Sequence, residues 1–146
     1  MIVVADSSPL RYLILLDSTH LLQHLFGRVV VPDVVAGELS ATSAPVAVRD
    51  WIAEPPEWIE IVQVSGHAVD AISDDLDIGE RAAIAVATEL SADVLLIDDA
   101  AGREEARRRR IRVTGTLGVL RAAAERGLVD VPAVVHPLEG DQLLRG

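Results

Sequence analysis

Val94 to Asp99 reads VLLIDD, an apolar run with the length of a strand that ends in two adjacent carboxylates. Ile2 to Asp6, IVVAD, repeats the pattern at the start of the chain. Short apolar runs of this kind are read as strands buried on both faces. A helix-forming segment follows each, so both strands are expected in one parallel sheet with their C-terminal ends on the same edge. Ligands of open α/β sheets bind at that edge. Asp6, Asp98 and Asp99 are thereby directed toward one crevice, where like charges are costly unless a cation answers them.

Outward from these two strands the chain alternates. Asp6-Ser7-Ser8-Pro9 starts a helix, with a serine cap and a proline at or near its first turn, and Leu10, Leu13 and Ile14 continue it. A second helix from Asp17 or Ser18 carries Leu21, Leu22, Leu25 and Phe26 and stops at Gly27. Its His20 and His24 are four apart, but Leu21, Leu22 and Gln23 stand where a metalloprotease helix needs a glutamate, so they read as surface or packing residues. Val29 to Val31 is a short strand, and Pro32-Asp33 opens a helix through Ser40 that carries Glu38. Judged alone, Glu38 is a solvated helix glutamate.

Pro45 to Ala53 is a further helix, ended by Pro55-Pro56. Trp58 to Val64 is a third strand, near a sheet edge because Glu57 and Glu60 flank it. Gly66 to Leu76, with Asp70, Asp74 and Asp75, has no clear period and is expected as an irregular acidic loop. Asp77-Ile78-Gly79-Glu80 then precedes an alanine-rich helix, Arg81 to Leu90. Asp77 and Glu80 have the spacing of a capping box; the same positions could also aim carboxylates into the crevice. After VLLIDD comes a helix, Ala100 to Arg110, ending in four arginines that suit a helix C-terminus and read either as a solvated end or as a phosphate clamp. Arg103 lies nearer the crevice. Ile111 to Val113 is a fifth strand, and Thr114-Gly115-Thr116 leads into a helix, Leu117 to Arg126, ended by Gly127. The tail with Pro132, Pro137 and Gly140 is expected to pack loosely or against a partner. About five strand and helix alternations imply a three-layer α/β/α sandwich around a parallel sheet of about five strands.

Composition narrows the chemistry. The 146 residues suit one domain spanning 1–146, half hydrophobic and a quarter charged. No cysteine is present, which excludes disulfides, thiolate nucleophiles and cysteine zinc sites. All thirteen basic residues are arginine; with no lysine there is no P-loop lysine, Schiff base or Ser-Lys dyad. The opening MIVVADSS lacks the basic region of a signal peptide, and no apolar run reaches spanning length, so a cytoplasmic protein without a membrane partner is expected. A formal charge of −10 argues against nucleic acid held by the overall field, but not against local contact through metal ions and a basic patch.

Asp6, Glu38, Glu80 with Asp77, and Asp98-Asp99 together form an ordered set. With the segments ADSSPL, VAGEL, LDIGERAAIAVA, LLIDDAAGR and VTGTLGVL, Ile2 to about Leu128 resembles the PIN domain, in its VapC-like toxin branch. The resemblance implies a metal-dependent endoribonuclease using Mg²⁺ or Mn²⁺. Asp6 matches the family's first acid, Glu38 the second and Asp99 the fourth, with Asp98 beside it; Ser8 matches a supporting hydroxyl residue. For the third acid Glu80 is the preferred match and Asp77 the alternative. The expected roles are catalysis by Asp6, Glu38, Glu80 and Asp99, metal binding by Asp6, Glu38, Asp98 and Asp99, support from Ser8 and Asp77, and RNA phosphate binding by Arg103. The resemblance also implies an antitoxin partner, whose tail could offer an arginine to the acids, and a homodimer. A hard divalent cation fits independently, since it takes oxygen ligands and leaves coordination positions for water and phosphate. Two rivals are a receiver-like phosphoacceptor, disfavoured by the missing lysine, and a PIN-like module that binds without cleaving.

Overall fold

In a computed structural model, which describes residues 1–129, five strands form one parallel sheet in the order β3-β2-β1-β4-β5. In chain order the elements are β1 (Val3–Ala5), α1 (Ser7–Leu15), α2 (His20–Phe26), β2 (Val29–Pro32), α3 (Asp33–Ser40), α4 (Val46–Ala53), β3 (Ile59–Val62), α5 (Gly66–Asp70), α6 (Ile78–Glu89), β4 (Val94–Leu96), α7 (Ala100–Arg108), β5 (Val113–Thr114) and α8 (Thr116–Glu125). The three-layer α/β/α arrangement expected from the alternation is present.

Alternation along the central strands builds the layers, because successive side chains point to opposite faces. Val3, Ala5, Val29, Val31, Val94 and Leu96 join the core that contains Leu10 and Leu13 of α1, Leu21 and Leu22 of α2, and Leu120 of α8. Val4, Val30, Leu95 and Ile97 face the other way, onto α5, α6 and α7. Every residue from Ala82 to Ala87 in α6 is buried. A helix apolar on all sides belongs in an interior, and α6 contacts β1, β2, β4, α3, α5 and α7. Its alanines allow that close approach.

Several boundaries differ from the sequence expectation. Gly66–Asp70 forms a short helix, capped by the Ser65 hydroxyl, which accepts from the Ala68 N–H at 3.0 Å, and Val69 and Ile72 pack beneath α6. Burial of those two side chains overrides a polar, aperiodic stretch. The fifth strand is Val113–Thr114, and α7 closes at Arg108, with Arg110 at a φ of 63°. Asp6 occupies the cap position of α1, one residue earlier than the serine expected there, and Pro9 is the third helical residue. Gly27, at a φ of 78°, terminates α2 as expected. The proline-containing tail lies outside the described residues. Among the described residues no helix is long and apolar enough to cross a membrane.

The order in which the chain adds strands reverses between β1 and β4, while all five strands stay parallel. Val3, Val4 and Ala5 pair with Val94, Leu95 and Leu96, so the two strands end level, and the Asp6 N–H donates to the Leu96 carbonyl at 2.9 Å. This switch point sets the position of the acids.

Candidate metal centre at the sheet edge

Asp6, directly after β1, is 3% exposed, and its Oδ1 is buried without a hydrogen-bond partner. Burial pushes its carboxyl up to about 7; the Ser7 N–H opposes this, and Glu80, Glu38 and Asp77 push further upward. Glu38 enters from α3, with Oε1 also buried and unpartnered. Burial raises its pKa above the usual carboxylate value, Asp77 adds to the rise, and the Ser7 hydroxyl and Arg11 counter it.

Glu80 comes from the first turn of α6 and is pushed up to about 7, by burial first and then by the charges of Asp77 and Asp99, against a hydrogen bond from the Asp77 N–H. The capping box is real: Asp77 Oδ1 accepts from the Glu80 N–H at 2.8 Å, and Glu80 Oε1 accepts from the Asp77 N–H at 3.2 Å. Capping and facing the crevice are therefore not alternatives here. Asp99 caps α7, with Oδ2 accepting from the Gly102 N–H at 2.9 Å, and lies near enough to Glu80 to help push its carboxyl up.

Asp6, Asp77 and Asp99 all stand at helix N-caps, so the positive ends of α1, α6 and α7 turn toward the acids. No ion pair among the described residues involves Asp6, Glu38, Glu80 or Asp99.

Asp98 is occupied differently. Its Oδ1 accepts from the Thr116 N–H and its Oδ2 from the Thr116 hydroxyl, each at 2.7 Å. It tethers the start of α8 to the end of β4. Arg103 and Asp98 flank Gly115, where a β-carbon would stand 2.5 Å from Asp98 Oδ1 and 3.6 Å from Arg103 Nη1; Arg103 Nε is buried without a partner.

Ser8 is half-buried, and the hydroxyl that meets Glu38 belongs to Ser7. Ser7, Thr116 and Gly79 were not singled out from sequence. The signal for the first two was adjacency to an acid-bearing strand end and a Thr-Gly-Thr turn at the same sheet edge. Arg108 and Arg109 are engaged by Glu104 and Glu105. His20 and His24 pack ring against ring, with centroids 6.2 Å apart. A cavity of roughly 280 Å³ bounded by Thr88, Ser91, Arg109 and Arg110 lies at the opposite edge of the sheet, away from the acids.

Among the described residues, no three acidic or imidazole side chains stand at the spacing needed to chelate one ion as placed. The donor set nevertheless fits a hard divalent cation. Two buried carboxylate oxygens, Asp6 Oδ1 and Glu38 Oε1, have no partner, and burying such atoms unanswered is costly. All the donors are oxygens, which suits Mg²⁺ or Mn²⁺.

The family model of the PIN domain matches residues 2–142. The chain belongs to the PIN-domain family. No curated protein matches it. Its fold is similar to that of a PilT N-terminus domain protein from the hyperthermophilic archaeon Sulfolobus solfataricus P2, with a TM-score of 0.60 and 15% identity over 86% of this chain and 95% of that one. The PIN domain is a nuclease fold, and in this PIN domain the acids occupy the switch-point edge where α/β sheets bind ligands.

Proposed function

We propose that this PIN domain is a metal-dependent endoribonuclease that hydrolyses RNA phosphodiester bonds. The observation that carries the reading is the pair of buried, unpartnered oxygens, Asp6 Oδ1 and Glu38 Oε1, inside a cluster of carboxylates that forms no ion pair among the described residues. Asp6, Glu38 and Asp99 would hold Mg²⁺ or Mn²⁺, with Glu80 beside them and Asp77 fixing Glu80 through the capping box. The bound ion would acidify a water and polarise a phosphate oxygen. Glu80, held protonated by burial and neighbouring acids in the metal-free site, would release that proton as the ion binds and then orient the attacking water. Asp98, whose two oxygens are both taken up by Thr116, would act by tethering α8 rather than by touching the metal, as its sequence position had suggested, and Arg103 would supply positive charge for a flanking phosphate.

The likeness to the VapC-like branch supports a toxin role in the cytoplasm, restrained by an antitoxin that covers the acids, and a homodimer. A second reading, a PIN fold that binds without cutting, draws on the absence of any three acids at chelating spacing among the described residues.

The test combines Mn²⁺ titration by calorimetry with a fluorogenic RNA assay on wild type and Asp6→Asn. Metal binding and metal-dependent cleavage in wild type, both lost in a folded Asp6→Asn protein, is the expected result. Cleavage retained by Asp6→Asn removes the assignment. Mn²⁺ bound without cleavage of any RNA favours the binding module.

A further inference from the structure

Gly79 is the second residue of α6, buried, and sits where α6 meets α3. Its φ lies outside the left-handed region, so the backbone does not require glycine there. The surrounding helix is built from alanine, and glycine in place of alanine costs helix stability. What excludes a side chain is space. A β-carbon built on Gly79 would stand 2.6 Å from Glu38 Cδ and 2.7 Å from Oε2, and would overlap Oε1. Carbon and oxygen cannot approach so closely without one of them moving. The Gly79 backbone is fixed within a buried helix, so the Glu38 carboxylate, at the end of a flexible side chain, is the group that must yield.

We infer that Gly79 is a positioning residue, whose missing side chain forms the seat that holds the Glu38 carboxylate beside the first turn of α6. Glu38 is thereby kept at the edge shared with Asp6 and Asp77, both of which it feels electrostatically. The steric claim stands on the contacts alone; its consequence for metal binding rests on the proposed function. Gly79→Ala removes the seat while improving helix propensity, so its effects on stability and on the site separate.

The experiment is a double-mutant cycle on the metal-free protein, with thermal unfolding of wild type, Gly79→Ala, Glu38→Ala and the double variant, followed by Mn²⁺ calorimetry on each. Gly79→Ala should raise Tm clearly in Glu38→Ala, where the obstructing carboxylate is gone, and raise it less, or lower it, in the wild-type background, where that carboxylate must move. Mn²⁺ affinity should fall about tenfold or more in Gly79→Ala, as for loss of a group that orients a ligand. If Gly79→Ala fails to fold but the double variant folds, the seat is confirmed by rescue. Equal Tm shifts in the two backgrounds would overturn the inference. Unequal shifts with unchanged Mn²⁺ affinity would overturn its consequence for the site. A wild type that binds no Mn²⁺ counts against the metal centre, and the Tm cycle then still decides the role of Gly79.

Discussion

Asp98 holds Thr116 with both carboxylate oxygens, at 2.7 Å to the backbone N–H and 2.7 Å to the hydroxyl. Neighbouring Asp99 commits one oxygen to the Gly102 N–H and turns toward Glu80. Two adjacent aspartates thus divide between tethering and the acid cluster. Thr116→Val, which deletes one charge-assisted hydrogen bond, should cost about 1.5–3 kcal/mol in urea unfolding. Asp99→Ala, which removes a helix cap, should cost about 1 kcal/mol. Mn²⁺ affinity should rank the two in the opposite order, with Asp99→Ala the more damaging.

The metal-free protein should lose stability as pH rises. Asp6 and Glu80 are raised to about 7 from ordinary values of 3.8 and 4.5. Between those limits the folded state keeps protons that the unfolded state has released, so the unfolding free energy falls with increasing pH through that window. For Asp6 the full difference is on the order of 2–4 kcal/mol; Glu80 is only half-buried, so solvent screening reduces its share. Glu105, held low by Arg108 and Arg109, acts with the opposite sign but below pH 4.5, outside the window. Denaturant midpoints without metal should therefore decline from pH 5 to pH 8. Asp6→Asn should flatten the decline, and saturating Mn²⁺ should restore wild type at pH 8 but not Asp6→Asn.

Arg103→Gln should weaken RNA binding without displacing Mn²⁺. Removing one phosphate contact should lower the slope of log affinity against log salt by about one. Filter binding to an uncleaved RNA analogue across a salt series reads this directly, and an unchanged slope would exclude Arg103 from the phosphate path.

Leu96 is fully buried in β4 and pairs with Ala5, one residue before Asp6. Leu96→Ala should destabilise the protein by about 2–5 kcal/mol in equilibrium unfolding. Because β1 and β4 present Asp6 and Asp99 from the same edge, this variant should also weaken Mn²⁺ binding at temperatures where it remains folded.

The central strands and the acids that follow them were legible because each is a local pattern. IVVAD and VLLIDD combine apolar runs of strand length with a terminal carboxylate, and the helices between them can join parallel strands only by crossing over the sheet. The capping box at Asp77 and Glu80 was equally local, since it depends on a spacing of three residues. Tertiary structure decided what spacing does not encode. Asp98 and Asp99 are indistinguishable as letters, yet only the turn into α8 brings Thr116 to Asp98. Gly79 looks like a weak position in a helix until α3 lays Glu38 against it. The segment Gly66 to Leu76 has no helical period of its own, and Val69 and Ile72 gain their helical or turn geometry from burial under α6. Local patterns specify which elements form and where charge is carried; close approach between elements selects which carboxylate is tied down and which is left without a partner.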